Sequence, residues 1–383
     1  MKSVILILAI PFVISIAHSQ SQPGKTSVDL DDSLAVSVIE AINRNEFSLA
    51  DRIIQEQLSE DSTSLEWLFL RGMRNYAELF ELPGFNQRAL SNMKRDLERV
   101  SELGEQRLEE NPNDPYTLFY TGGAYGYLGI AKTAEGSLFG GVGTAKKGFN
   151  MHEDLIEVCP QCYDAYLGPG MMNLMTSDVP WILKPILWIF GLSGSEEKAY
   201  DYLTTAFQHG KLVRLEAGTY LAQLYQRRKD YTTSFEIYSQ LTQEYPMRVG
   251  LRAESMSPLW ADKRYGDIIS LARNTMQMFE SGQYSLSKAD SAWLPSIVLS
   301  YSRACRIKGD TSSAIHVLED FVHNDNYSAI RKWRIYYSLA GSYLLQHDTL
   351  NAIENYNAVL KSDAPEDSKK GAQDAIERLS PSI

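Results

Sequence analysis

Apolar residues recur at intervals of three and four along most of the chain, which is the pattern of helices that bury one face. Leu155 and Val158 follow this spacing, and Leu203, Ala206 and Phe207 repeat it later. No segment alternates apolar and polar residues between two hairpin turns, as a half-buried strand does. The sequence therefore predicts an all-α protein with negligible sheet.

A unit of two helices joined by a short turn recurs within this helical pattern. In its clearest copy, residues 334–365, Ala340 and Ala352 are small where the paired helices are expected to cross. Larger side chains are expected around that crossing. The spacing is typical of the tetratricopeptide repeat, whose period is about 34 residues. The other positions in this register are Tyr336, Leu339, Tyr343, Tyr356 and Pro365.

Further copies of the unit extend the array. Residues 215–246 match well, and residues 249–281 have the right length but fit less closely. Two weaker copies lie at 293–322 and 34–58, so we predict at least four repeats in a right-handed helical-hairpin solenoid. The side chains that support these copies are Leu221, Ala222, Tyr265, Ala314, Leu318, Phe47 and Ala50.

The amino-terminal residues have the features of a secretory signal. Lys2 precedes an apolar stretch from Val4 to Ile16, and Ala17 and Ser19 provide small residues for cleavage after Ser19. Retention as a membrane anchor is the alternative, although a spanning helix needs about 20 apolar residues. We therefore expect a periplasmic or secreted protein.

These patterns divide the chain into six predicted segments. The signal peptide is followed by a disordered leader and then by three groups of repeats. The terminal segment is expected to cap the array with an amphipathic helix that presents Ala372, Ala375, Ile376 and Leu379 on one face. The predicted segments are 1–19, 20–32, 33–111, 112–246 with an apolar insert at 179–192, 247–365, and 366–383 as capping helix and tail.

Charge narrows the range of partners. The chain carries 37 Lys and Arg against 48 Asp and Glu, a formal net charge of −11. A nucleic-acid partner is therefore not expected, because such binding requires a basic surface that displaces counterions from phosphate. No hydrolase motif is present and the six histidines are scattered, so we predict no enzymatic activity, no cofactor and no metal.

The chain contains three cysteines, and two of them form a CxxC pair. Cys159 and Cys162 are compatible with a local disulfide, with two thiols, with a redox site or, together with His152, with a partial zinc site. Cys305 lies at a repeat packing position and is expected in the core. The glycines at 136–141 have the first interval of a P-loop, but Val142 stands where the lysine is required. We instead predict an irregular glycine-containing connection there.

The middle of the chain resembles a known family. Its motifs are Gly-Gly-x-Tyr-Gly at 122–126, DAYLG at 164–168, Pro-Trp-x-x-Lys-Pro at 180–185, Gly-Leu-x-Gly at 191–194 and YLTTAF at 202–207. In this order they are similar to a family of exported bacterial tetratricopeptide-repeat proteins of unknown function, and more distantly to the eukaryotic repeat family of the inclusion-body-clearance proteins. The resemblance implies a repeat fold and no activity. The chain departs from it at Pro169, Met171 and Met172.

The apolar insert at 179–192 is too short to span a bilayer. Three interpretations remain open. The insert fills the interior of the solenoid, lies in a membrane interface, or lines an apolar ligand cavity. Its distinguishing side chains are Trp181, Lys184 and Trp188.

The first helix of each pair is expected to line the concave face of a solenoid, where Arg303, Arg306, Arg334 and Tyr337 would lie. Arginine forks suit carboxylates, so an acidic peptide or chain terminus is a candidate ligand. The simpler alternative is that these arginines pair with acidic neighbours or face water. The sequence thus predicts a non-enzymatic scaffold or adaptor of the cell envelope with a protein or peptide partner.

An alternative function of a different class follows from the apolar side chains of the middle region. A carrier of an apolar small molecule or lipid would use the tryptophan-rich insert together with Met171, Met172 and Met175.

Overall fold

A computed structural model describes residues 33–79, 86–177, 179–180, 191–246, 248–281, 288–324 and 332–380. All regular secondary structure in these ranges is helical, which confirms the predicted all-α class. The predicted signal segment and the side chains Trp181, Lys184 and Trp188 lie outside the described residues. In the described part of the chain, no helix is both long and apolar enough to cross a membrane.

The helices follow one another with short connections. A 3-10 helix at Tyr163–Tyr166 precedes α7. The α-helices are α1 Ser33–Asn43, α2 Phe47–Glu60, α3 Leu65–Glu78, α4 Gln87–Glu110, α5 Pro115–Ala134, α6 Leu138–Val158, α7 Leu167–Ser177, α8 Glu196–His209, α9 Arg214–Arg227, α10 Tyr231–Glu244, α11 Val249–Ala261, α12 Tyr265–Glu280, α13 Lys288–Ile307, α14 Thr311–His323, α15 Lys332–Leu345, α16 Thr349–Lys361 and α17 Glu366–Leu379.

Consecutive helices pack as antiparallel pairs, in which odd-numbered helices are the first members. The pairs α3 with α4, α5 with α6, α13 with α14, and α15 with α16 have extensive contacts. First helices also contact the first helices of neighbouring pairs, as α3 does with α5, and α13 with α15. This arrangement confirms the predicted tetratricopeptide-like array of helical hairpins.

The described chain forms two compact units. One contains residues 33–79 and 86–237, and the other contains residues 238–380. The boundary falls inside α10. In the second unit, the predicted repeat positions Leu339, Ala340 and Ala352 are buried, as the tetratricopeptide pattern requires.

Several turns between the two helices of a pair share one conformation. Asn45, Lys229, Lys263, Gly309 and His347 all have positive φ, between 58° and 82°. In each turn the next residue donates its backbone N–H to a carbonyl five residues earlier, for example Asp310 to Cys305 at 2.9 Å. This is the hydrogen bond of a Schellman motif, which ends the first helix. An aspartate often follows and caps the second helix, as Asp310 does by accepting from Ser313 N at 3.0 Å.

Gly136 lies in the turn before α6, but Gly140, Gly141, Gly143 and Gly148 lie within α6 and not in the irregular connection that the sequence suggested. Helix α6 begins at Leu138. Its glycines carry no side chain, so α6 approaches α5 more closely than other residues would allow. A Cβ at Gly148 would stand 2.2 Å from the carbonyl oxygen of Gly122. The close packing of α5 on α6 compensates for the poor helix propensity of glycine.

The predicted capping helix is present as α17. Its Ala372 and Ala375 are buried against the last repeat, and Ile376 and Leu379 pack at the edge of that cluster. Charged residues occupy the opposite face. The helix therefore covers apolar surface of α15 and α16 that a further repeat would otherwise cover.

Candidate functional site

Arg303 and Arg306 lie side by side near the carboxyl end of α13. They are three residues apart and therefore share a helical face. The guanidinium carbon of Arg303 is 4.6 Å from the ring centroid of Trp260, on α11, in a cation–π contact. Burial lowers the pKa of Arg306, and the positive charge of Arg303 lowers it further. The structure thus brings two of the predicted arginines together at a distance where their charges repel.

No carboxylate balances this pair within the described part of the chain. Other Lys and Arg residues there form ion pairs at 4.0 Å or less, as Arg71 does with Asp96, but neither Arg303 nor Arg306 is among them. Pairing with acidic neighbours, the first form of the simpler alternative, is therefore absent for Arg303 and Arg306 among the described residues. Arg303 is exposed to water, as the second form expects, whereas Arg306 is half-buried.

Helix α15 adjoins the arginine pair. The Nη1 atom of Arg306 lies 3.5 Å from the position that a Cβ at Gly341 would occupy. Tyr337 is one turn earlier on α15, is 36% exposed, and packs edge-on against Tyr356 with ring centroids 5.4 Å apart. Its hydroxyl points to Gly371 of α17. Gly341 and Tyr337 thus present one face of α15 beside the guanidinium of Arg306.

Arg334, the third predicted arginine, is half-buried on α15, one turn before Tyr337. Apolar side chains are exposed at the ends of the same first helices: Ile307 closes α13 at 49% exposure, and Leu345 closes α15 at 59%. A surface with a cationic pair, a tyrosine and exposed aliphatic residues can bind a carboxylate together with a neighbouring apolar side chain.

Trp260 is the residue of this site that the sequence did not reveal. Trp260 lies near the end of α11. The spacing of apolar residues in the sequence does not indicate that an arginine of α13 packs on its ring. An aromatic residue two positions before the turn at Asp262 is the available signal.

The methionines of the predicted carrier function do line a cavity. Met171, Met172 and Met175 of α7 face a mainly apolar space of about 120 Å³ in the first unit. Its other walls come from α3, α5 and α6 and include Phe69 and His152. The sequence indicates the methionines but not His152 in this role, because the spacing of His152 from the two cysteines suggests a metal ligand instead.

The structure joins Cys159 and Cys162 by a disulfide at the end of α6, with Cα atoms 5.4 Å apart. His152 is buried against the ring of Phe119 and does not approach them as a ligand. Among the described residues, no group of three His, Cys, Asp or Glu side chains is arranged to hold a metal ion. Cys305 is a buried thiol whose pKa is raised by burial.

A groove of about 470 Å³ with both polar and apolar walls lies between α12, α13 and α14. Arg273 donates to the hydroxyl of Tyr301 at 3.3 Å, and His316 contacts Asp320 at 2.6 Å across the groove wall. Because these charged groups already have partners, the groove offers less to a ligand than the Arg303–Arg306 pair does.

Comparison with known proteins finds similarity in structure only. No protein-family model matches the chain. No curated protein is significantly similar in sequence.

Several solved structures are similar. A chain of the Cut9-Hcn1 hetero-tetramer of APC/C is 15% identical with a TM-score of 0.46, and the match covers 92% of this chain and 56% of that chain. This chain therefore spans about half the length of that relative. Yeast Tom70 is 12% identical with a TM-score of 0.43, covering 92% and 76%. A tetratricopeptide repeat protein from Parabacteroides merdae is 12% identical with a TM-score of 0.39, covering 79% and 99%.

Proposed function

We propose that this chain is a non-enzymatic repeat scaffold that binds a protein or peptide, and that Arg303 and Arg306 hold a carboxylate of that partner. The observation that carries the proposal is the juxtaposition of two arginines without an ion pair among the described residues. Like charges at close range destabilise each other, and a bound anion removes that repulsion. The planar guanidinium forks favour a carboxylate, which they bind with two parallel hydrogen bonds.

The surroundings of the pair favour a peptide over a free small anion. Trp260 holds Arg303 through its ring, and Gly341 leaves open space beside Arg306. Ile307 and Leu345 add exposed aliphatic surface at the ends of the same helices. A partner that carries an aspartate, a glutamate or a free carboxyl terminus next to an apolar side chain would contact both kinds of surface.

Selection from a displayed library of random peptides with free carboxyl termini tests this function. Peptides that bind the full chain are expected to be enriched in Asp, Glu or an apolar carboxyl-terminal residue. Their affinity should fall at least tenfold in the double variant Arg303→Gln/Arg306→Gln and should weaken as salt is added. Arg264→Gln is the matched control, because Arg264 already pairs with Asp267 at 2.6 Å. Selected peptides without acidic groups, or affinities unchanged in the double variant, would refute the proposal.

We further propose that the scaffold is exported and works in the cell envelope of a bacterium. The support is the resemblance of the middle third to exported bacterial repeat proteins, together with the signal pattern from Lys2 to Ser19. Expression of the full chain in a Gram-negative host, followed by amino-terminal sequencing of the periplasmic product, tests this. Gln20 is expected as the first residue. A cytoplasmic product that retains Met1 would contradict export.

The carrier alternative is supported only by the cavity beside Met171, Met172 and Met175. At about 120 Å³ that cavity is smaller than the one of about 150 Å³ that holds a benzene molecule in an engineered protein. It therefore does not accommodate a lipid chain, and we do not propose lipid transport through it.

A further inference from the structure

The cavity of the first unit is built to hold one small group. It lies where α5, α6 and α7 meet, and glycines of α5 leave space that side chains would otherwise occupy. A Cβ placed on Gly126 would have no atom within 4 Å, so this position borders the open volume. Met171, Met172 and Met175 are half-buried on the opposite wall. At about 120 Å³ and partly open to solvent, the space is close to the size that holds a single six-membered ring.

The walls favour an aromatic ring over an aliphatic chain. Methionine sulfur makes favourable contacts with ring edges at about 5 Å. Phe69 and Phe119 also line the cavity, and phenyl rings pair favourably edge to face with a further ring. Aromatic contacts already dominate this region, since Phe69 meets the rings of Tyr120 and Tyr127 at centroid distances of 5.9 Å and 6.1 Å.

One polar atom in this apolar wall is available to a ligand. His152 is 8% exposed, and its Nε2 lies 3.0 Å from the carbonyl oxygen of Phe119. A carbonyl can only accept, so Nε2 carries the hydrogen and Nδ1 has a free lone pair. In the described ranges, His152 forms no other hydrogen bond. A Cβ at Gly168 would stand 2.7 Å from Nδ1, so the glycine keeps this atom accessible.

Burial keeps the imidazole neutral, because it lowers the pKa of His152 below its ordinary value. The ring is also fixed in orientation, since it stacks on Phe119 with centroids 5.5 Å apart and an angle of 15° between planes. Nδ1 is therefore an acceptor of fixed orientation on a side chain that lines the cavity, and it favours a ligand with an N–H or O–H donor.

A second group disfavours anions. Asp164 borders the cavity and accepts backbone hydrogen bonds from Leu212 at 2.8 Å and Val213 at 3.0 Å. A carboxylate or phosphate placed in the same low-polarity space would be repelled by the ionised form of Asp164.

From this arrangement we propose that the cavity binds one neutral aromatic ring that carries a hydroxyl group, with the ring between Met171 and Phe119 and the hydroxyl donating to Nδ1 of His152. The ligand is a phenol, either as a free small molecule or as a tyrosine side chain of a partner polypeptide. The site lies in the first unit and does not depend on the proposed role of the arginines in the second.

Methyl NMR of the full chain tests the proposal with three probes that differ in one group. The chain is labelled with ¹³C at the methionine methyls and titrated with p-cresol, toluene or p-toluate at pH 7.5. Saturable shifts of the Met171, Met172 and Met175 signals are expected with p-cresol. Toluene lacks the donor and should bind about tenfold more weakly, the effect of one hydrogen bond. p-Toluate should cause no shift.

A cavity-filling variant and its matched control complete the test. Gly126→Leu places a side chain in the open space and should abolish the p-cresol shifts. Gly266→Leu also adds a leucine to a helix where the nearest atom is a lysine amine at 4.0 Å, and it should leave binding unchanged. Gly126→Ala, which is smaller, serves if the leucine variant does not fold, with an expected loss of affinity of severalfold.

The outcomes distinguish a free phenol from a tyrosine side chain of a partner, and they can refute the proposed binding site. N-acetyltyrosinamide that binds as well as p-cresol indicates a side chain of a partner, whereas its exclusion indicates a free phenol. Absence of saturable methionine shifts with p-cresol, or shifts that persist in Gly126→Leu, would overturn the site. Equal affinities for p-cresol and toluene would overturn the role of His152.

Discussion

Arg306 of α13 lies against Gly341 of α15, with its Nη1 atom 3.5 Å from the place where a Cβ at residue 341 would stand. The contact joins the first helices of two neighbouring repeats. Gly341 lies one turn after Tyr337 on the same face of α15, and the absence of a side chain leaves the guanidinium accessible from that side. Substitutions at Gly341 therefore change the charge environment of Arg306 without altering the arginine itself.

A glutamate at position 341 is expected to compete with the partner. Gly341→Glu brings a carboxylate within reach of Arg306 and should weaken binding of acidic peptides by at least tenfold. Gly341→Ala adds only a methyl at ordinary contact distance and should retain binding, while it stabilises the helix by about 0.5–1 kcal/mol. Fluorescence anisotropy with a selected peptide, together with urea unfolding, measures both effects. Equal binding by the two variants would contradict the account.

The glycines where α5 crosses α6 are expected to differ sharply in tolerance. Gly148→Ala forces a methyl to within 2.2 Å of a backbone carbonyl and should destabilise the chain by about 1–3 kcal/mol. Gly126→Ala, on the partner helix, meets no atom within 4 Å and should stabilise by about 0.5–1 kcal/mol. Thermal unfolding followed by circular dichroism compares the two. A similar effect at both positions would show that α5 and α6 are farther apart than the structure has them.

The repeat pattern predicted the array of helical hairpins because small and large residues at fixed spacing determine how two helices cross. Ala340 and Ala352 are fully buried, in agreement with this expectation. The expectation of a loop is wrong for the glycines of α6, because local propensity favours a loop there and only the contact with α5 explains a helix. The contact of Arg303 with Trp260 joins different repeats, and single-sequence periodicity does not specify such contacts.

Asp164 should make stability depend on pH in a defined direction. Burial raises the pKa of its carboxyl from 3.8 to about 6, although backbone N–H groups oppose the shift. The folded chain then binds a proton more tightly than the unfolded chain, so this stabilising contribution is complete below pH 4 and is lost as the pH rises through about 6. Asp164→Asn should therefore gain stability relative to the parent chain between pH 4 and 7, by roughly 2 to 3 kcal/mol.

Asp310→Asn is the control with the opposite sign. A hydrogen bond from the Ser313 backbone lowers the pKa of Asp310, so its stabilising contribution is lost as the pH falls through the lowered value. Urea unfolding from pH 3.5 to 7.5 measures the difference between each variant and the parent chain. A difference for Asp164→Asn that does not change with pH would show that the carboxyl is not perturbed by burial.

The link between Cys159 and Cys162 predicts a specific labelling pattern. Denatured protein purified without reductant should take up one iodoacetamide, at Cys305, and reduced protein should take up three. Because the bridge closes a very short loop, its loss should lower the free energy of unfolding by only about 2 kcal/mol. Mass spectrometry and urea unfolding of Cys159→Ser/Cys162→Ser check the two statements. Uptake of three labels without reductant would disprove the bridge in the purified protein.

The binding role of the arginine pair is tested most directly by a double-mutant cycle. One selected peptide is prepared in two forms, with its carboxylate intact or converted to the amide. Isothermal titration calorimetry measures the affinity of each form for the parent chain and for Arg306→Gln. The account predicts a coupling energy of about 1–3 kcal/mol between the carboxylate and Arg306, which shrinks as salt is added. Additive effects, with no coupling at low salt, would contradict it.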